Sequence, residues 1–357
     1  MHNTPRSWSF LPKAILVVAL GLTTLISYTA VADVTTDPVG FITLSCVAGP
    51  NKTTVWGLGM TQLPEQKGVA DILGSTLTDS SASFTNNQWN YSSAKPYELE
   101  VTSGPLAGYF DAITGTTAPG TITLAHSVTN SPGLSAQSYL IRPSWTLKTA
   151  LGANGVASGF QGGSSASAAD NINVWVPSGQ SFAVYYYKTN AGSGGSGWRS
   201  SFNGATNQGD TPLYIDQGIA VLRAASTPTN ILLVGAVKLG NTISPIVGHG
   251  TTFAGNVYPF AFTLANSQLW TGSSSTGVQG GSGSSAADNI NIWDPVGQSY
   301  AVYYYKTNAG SGGSGWRSSF NGATNQGGTT IPLGGTAVIL RLNASPFNWV
   351  MTQPFSN

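Results

Sequence analysis

The sequence predicts an all-β protein made of two tandem antiparallel β-sandwich or barrel-like units, the first carrying a small inserted β module. Three observations predict it. Short runs of β-branched and aromatic residues recur between clusters of Gly, Pro, Asn and Ser. No helix of crossover length separates them, which favours antiparallel pairing. Gln161–Arg223 also aligns with Gln279–Arg341 at a constant offset of 118 without a gap, and Ala183–Gly209 is identical to Ala301–Gly327.

In chain order, Arg6 and Lys13 precede the apolar run AILVVALGLTTLI (Ala14 to Ile26), which Ala30-Val31-Ala32 follows. This is the pattern of a secretory signal peptide over 1–32, with a mature start near Asp33 and an extracellular, cell-surface or periplasmic destination. No later run has transmembrane length, so no transmembrane anchor is expected once the signal is removed. The single cysteine, Cys46, lies in the strand-like FITLSC and reads as a buried small hydrophobe, or else as a route to a covalent dimer.

The first unit is expected over 33–226 and the second over 227–346, with a tail at 347–357. The boundary rests on a faint match of Val39–Leu44 to Val234–Leu239. From those strands to the shared DNIN the chain travels 131 residues in the first unit and 54 in the second. An insertion of about 77 residues follows, placed at about 65–138, where YELEVT and GTITLA read as strands of a small β module. Within it GVADIL (68–73), and beyond it WTLKTAL (145–151), read as a turn or two of helix. The remaining strand signals are TTVWGLGM, SYLIRP, FAVYYYKT, GIAVLR, ILLVGAV, YPFAFTL, YAVYYYKT and TAVILRL. In FAVYYYKT, alternation puts Phe182, Val184 and Tyr186 on one face and Ala183, Tyr185 and Tyr187 on the other, both apolar enough to be covered.

Charged residues are only 8% of the chain. Without Arg6 and Lys13 there are 12 basic and 13 acidic residues, so no basic field exists to hold nucleic acid or anionic lipid. The duplicated stretch contains G-x-G-x-x-G at Gly192, Gly194 and Gly197, and again at Gly310, Gly312 and Gly315. A dinucleotide loop needs a helix opening at the last glycine. Here WRSSFNG follows and breaks at Asn203-Gly204, and Asp216, the acid about 20 residues on, becomes Gly334 in the second copy. No Gly-Lys-Ser or Gly-Lys-Thr follows either, so no nucleotide is expected. The stretch reads as a β-hairpin with a flexible tip.

The candidate binding residues flank that tip: Tyr185, Tyr187, Trp198 and Arg199, with Tyr303, Tyr305, Trp316 and Arg317 as their equals. Exposed rings beside a planar guanidinium would stack on a sugar or on a neighbouring subunit. The competing reading fills the core with the rings and pairs Arg199 with Asp170 or lays it over a ring. Asp170, Asn171, Asp288 and Asn289 offer oxygens that calcium could use, although Asp and Asn before a strand also make turns. No other cofactor is indicated. His126 and His249 lack zinc spacing and read as surface or turn residues. No nucleophile elbow is present. Asp111, Glu98, Glu100, Asp170 and Asp288 are available for glycoside hydrolysis, but the sequence pairs none of them.

Val34-Thr35-Thr36-Asp37-Pro38-Val39-Gly40-Phe41, Pro143-Ser144-Trp145-Thr146-Leu147, the Tyr185-Tyr186-Tyr187 strand, Gly197-Trp198-Arg199, Gly218–Arg223 and Asn348-Trp349-Val350 together resemble a family of secreted, uncharacterised β-rich bacterial proteins known chiefly from the Verrucomicrobia. The resemblance implies secretion and β architecture and carries no activity. In that family the link between tyrosine strand and Trp-Arg is short, so AGSGGSG resembles an enlarged hairpin tip. The expected function is therefore a non-catalytic secreted or cell-surface β-repeat protein, structural or adhesive, in a surface layer, matrix or fibre. Its partners would be further copies of itself or an extracellular glycan. The alternatives are a glycan-binding protein with one aromatic site per repeat and, third, a polysaccharide-active enzyme.

Overall fold

Burial alternates along the first strand, with Ile42, Leu44 and Cys46 inward and Val39 and Phe41 outward, as a half-covered strand requires. The structure is a computed structural model that describes residues 38–353 apart from 91–93, 129–132, 156–158, 191–193 and 309–311; the signal-like segment lies outside the described residues. Strands β1 (Val39–Cys46) and β2 (Thr53–Trp56) open the first repeat. Strands β3 (Gln66–Leu73), β4 (Thr76–Thr78), β5 (Tyr97–Val101), β6 (Phe110–Thr117), β7 (Thr121–Leu124) and β8 (Leu134–Pro143) follow. Then come β9 (Trp145–Thr146), helix α1 (Leu147–Leu151), β10 (Asn171–Val176), β11 (Ser181–Lys188), β12 (Gly197–Ser200), β13 (Pro212–Leu213), β14 (Ile219–Leu222) and β15 (Thr229–Ala236). The second repeat comprises β16 (Thr242–Ile246), β17 (Gly250–Gly255), β18 (Phe262–Thr263), β19 (Asn289–Asp294), β20 (Ser299–Lys306), β21 (Gly315–Ser318), β22 (Thr330–Ile331), β23 (Thr336–Arg341) and β24 (Phe347–Met351).

The fold is all-β. One five-stranded sheet runs β12-β11-β10-β14-β2 and the other β21-β20-β19-β23-β17, the same order built from corresponding strands. Each is backed by a two-stranded ladder, β1 with β15 and β16 with β24. Ile42, Leu44, Ile231 and Leu233 of the first ladder pack on Trp56, Ile172, Val174 and Val221 of its sheet; Ile246, Phe347 and Trp349 do the same on Ile290 and Ile339. Each repeat is thus a small sandwich.

The inserted module closes into a barrel, β3-β4-β7-β6-β5-β8, around Ile72, Leu77, Leu99, Ile113, Ile122 and Ile141. It extends to Pro143, beyond the expected limit near 138. The helical reading of GVADIL fails because Ala70 and Ile72 point inward while Val69, Asp71 and Leu73 point out, a period of two that makes β3. The helical reading of WTLKTAL holds for Leu147–Leu151, which the Thr146 and Thr149 side chains cap reciprocally.

The expected boundary at 226 is corrected. β15 pairs with β1 at all eight positions, Val39↔Ala236 to Cys46↔Thr229, so the first repeat runs on to Ala236. Phe347, the residue 118 positions after Thr229, begins β24, which pairs with β16; residues 347–351 are therefore the second repeat's last strand rather than a tail. The faint match of Val39–Leu44 to Val234–Leu239 paired two strands of one ladder. Both alternate inward apolar residues, so their compositions look alike without their positions corresponding.

The two five-stranded sheets meet face to face and do so reciprocally. Val55, Ala220, Phe253 and Val338 form the buried centre, flanked by Trp175 and Phe182 from one sheet and Trp293 and Tyr300 from the other. Trp175 Nε1 donates to Thr251 O at 2.9 Å, and Trp293 Nε1 donates to Thr53 O at 3.0 Å. Gln180 Oε1 accepts from Thr251 N at 2.6 Å, as Gln298 Oε1 accepts from Thr53 N at 2.7 Å. Gly57 N donates to Gly334 O at 2.9 Å and Gly255 N to Asp216 O at 2.7 Å. A Cβ on Gly57 would stand 2.8 Å from Gly255 Cα, so the two glycines let the backbones touch where the halves meet.

Candidate functional site

β11 and β12 form the tyrosine hairpin in register Tyr185↔Ser200, Tyr186↔Arg199 and Tyr187↔Trp198. Tyr185 and Tyr187 are half-buried against the first core, and Tyr303 and Tyr305 against the second. Trp198 is buried; its Nε1 donates to Gly152 O at 2.9 Å and its ring meets Tyr187 edge-on at 5.7 Å. Trp316 is buried likewise, edge-on to Tyr305 at 5.5 Å, with Trp270 stacked on the same tyrosine at 3.9 Å. The expected solvent-facing ring sites are thereby corrected for the tryptophans, which are core, while the four tyrosines are half-buried with one side of each packed on it.

Arg199 and Arg317 are also buried, so they too leave the expected binding surface. Arg199 pairs with neither Asp170 nor a ring. Its Nη1 donates to Trp198 O at 2.9 Å, and its Nη2 donates to Gly194 O and, at 3.0 Å, to Gly195 O. Arg317 makes the same three bonds to Trp316, Gly312 and Gly313. Gly194 and Gly195 have φ of 84° and 68°, a conformation that turns their carbonyls toward the guanidinium and that other residues resist. The glycines therefore serve the arginine. Gly192 and Gly310 lie outside the described residues.

Behind the tip lies the loop SFNGATN, Ser201–Asn207, exposed at every residue, as is its copy Ser319–Asn325. Asn203 Oδ1 accepts from Ala205 N and Thr206 N at 3.1 and 3.3 Å, and Asn203 Nδ2 donates to Thr206 Oγ1 at 3.1 Å. Phe202 N donates to Ser200 Oγ at 3.2 Å. Gly194 lies so close to Ala205 that a Cβ there would meet its carbonyl oxygen at 2.5 Å, which ties tip and loop together. The result is a self-bonded platform from which Phe202, and equally Phe320, projects with 88% of its surface exposed. Sequence reasoning missed these two residues, although a lone Phe before Asn-Gly in a polar run was the available signal.

The calcium reading is corrected by the bonding of Asp170 and Asp288. Asp170 Oδ2 accepts from Arg223 Nη1 at 2.6 Å and Gln161 N at 2.7 Å, and Oδ1 from Ala224 N at 2.6 Å. Asp288 repeats this with Arg341 Nη1 at 2.8 Å, Gln279 N at 2.7 Å and Leu342 N at 2.7 Å. These carboxylates pin the arginine at the end of β14 or β23 to the start of the next sheet strand. Asn171 and Asn289 begin β10 and β19, where each side-chain oxygen is buried without a hydrogen-bond partner. Among the described residues no three His, Cys, Asp or Glu side chains gather as a metal site.

The carboxylates considered for hydrolysis are held internally. Asp111 accepts from Ala112 N at 2.8 Å, His126 N at 2.7 Å and the mostly exposed His126 ring at 3.0 Å. Glu98 and Glu100 of β5 join Arg142 of β8 and Lys238 in a buried cluster at the junction of barrel and repeats, with the half-buried Asp216 beside them. Glu100 bonds both Arg142 and Lys238, the latter 138 residues away. Three carboxylates face two cations, and burial pushes Glu98 up to about 7 and Asp216 up to about 6. A cleft of about 300 Å³ touches Arg142 and Lys238, but neither Glu98 nor Asp216 lines it. Burial also pushes the Cys46 thiol up to about 12, in keeping with its inward place in β1.

No helix among the described residues is long and apolar enough to cross a membrane. No protein-family model matches the chain, and no curated protein or solved structure matches it.

Proposed function

We propose that this chain is a secreted, non-catalytic structural or adhesive component of a cell surface, matrix or fibre, and that its contact surface is the pair of Phe202 and Phe320 loops. The observation that supports this reading is an exposed surface presented twice. The repeats are identical over Ala183–Gly209 and Ala301–Gly327, a block that holds the buried Tyr186, Trp198 and Arg199 as well as all seven loop residues, whereas buried positions beyond it differ, with Ile219 against Ala337, Val221 against Ile339 and Leu213 against Ile331. The two loops therefore offer the same surface, each with a phenylalanine turned to solvent. Exposed aromatic knobs on rigid supports are suited to contact, whereas the ionisable groups that chemistry would use are consumed by internal bonds.

Fractionation of cells producing tagged protein tests the reading. Wild type is expected in the surface or matrix fraction, and the Phe202→Ser/Phe320→Ser double variant, folded and exported, in the medium. Wild type free in the medium, or retention of the double variant equal to wild type, would contradict it.

A further inference from the structure

We infer that the partner of each loop is the same loop in a second copy of this chain, so that a chain carrying two loops assembles without a limit; the inference rests on the loops being the contact surface. Four features support it. Ser200–Gly209 and Ser318–Gly327 contain no ionisable residue, so two such loops face each other without like-charge repulsion. Part of their polar surface is already bonded within the loop: Asn203 and Asn321 each hold the next turn, and Asn207 and Asn325 each accept from the glycine two residues on, at 2.9 Å. The exposed phenyl ring is then the largest apolar surface that a partner would cover. Finally, two copies of one surface are self-matching about a two-fold axis, the commonest way for identical chains to meet.

The duplication decides what such a contact builds. One loop per chain would close as a dimer. Two identical loops let each copy engage two neighbours, Phe202 to Phe320, Phe202 to Phe202 or Phe320 to Phe320, and growth continues. A seven-residue loop offers much less than the roughly 800 Å² per partner of a stable interface. Each contact is therefore weak, and assembly belongs to crowded or surface-confined protein, where linked contacts add.

Sedimentation velocity on the mature protein, up to the millimolar range, provides the test. Wild type is expected to grow past the dimer with concentration. Phe202→Ser and Phe320→Ser should each level off at twice the monomer mass, and the double variant should stay monomeric. Phe41→Ser, on the outward apolar face of β1, should grow like wild type. Unchanged near-ultraviolet circular dichroism confirms folding, as the exposure of both phenylalanines leads one to expect. A double variant that grows like wild type, or growth lost only in Phe41→Ser, overturns the proposal while leaving an assembling protein. Wild type that stays monomeric, stops at the dimer, or binds a polysaccharide through the phenylalanines without growing also overturns it.

Discussion

At the scale of single residues, Glu98 shows how this chain uses its few charges. It is buried on β5 beside Glu100, with Arg142 on β8, Lys238 and Asp216 as its charged neighbours. Burial, reinforced by Glu100 and Asp216 and opposed by Arg142, pushes its carboxyl from 4.5 up to about 7. The native state therefore binds this proton more tightly than the unfolded chain. The associated stability is fully present below pH 4.5 and is lost as pH rises through about 7, with Asp216 acting in the same direction between 3.8 and about 6. The Glu98 share is about 3 kcal/mol. Urea unfolding should show wild type losing stability from pH 5 to pH 8. Glu98→Gln should match wild type at the acid end and exceed it at the alkaline end. A wild type that is equally stable across that range would contradict the assignment.

At the scale of elements, the junction of the two five-stranded sheets depends on bare backbone at Gly57 and Gly255. A Cβ at Gly57 would meet Asn256 N, Gly255 Cα and Gly335 O, each at 2.8 Å. Backbone atoms cannot rotate away as a side-chain end can. Gly57→Ala should therefore cost about 3 kcal/mol. Gly328→Ala, where nothing lies within 4 Å, should change stability by less than about 0.5 kcal/mol, with urea midpoints as the measure. The strands themselves were legible in the sequence. Alternation in FAVYYYKT assigned Tyr185 and Tyr187 to one face, and they pack on the sandwich core while Phe182 packs between the sheets. Partnerships across long separations were not legible. Arg223 with Asp170, Lys238 with Glu100, and Gln298 with Thr53 are formed by closure of the whole fold, which no local pattern encodes. The same limit misplaced Arg199, whose partners are tip carbonyls rather than a side chain.

At the scale of the molecule, a barrel and two sandwiches share one compact unit among the described residues 38–353. The duplication seen in the sequence at an offset of 118 becomes two sheets of the same strand order that exchange equivalent hydrogen bonds. Internal pairing consumes the outer faces of those sheets and leaves the Phe202 and Phe320 loops turned to solvent. The central claim is that these loops meet their equals in other copies. Thiol cross-linking tests it most directly, because the only native cysteine is buried with its thiol pushed up to about 12 and does not compete. With cysteine in place of Ala205 and Ala323, mild oxidation of concentrated protein should give a ladder of covalent species past the dimer, and either cysteine alone should give a dimer and nothing larger. Absence of any cross-link under conditions where the wild-type protein assembles would contradict the claim.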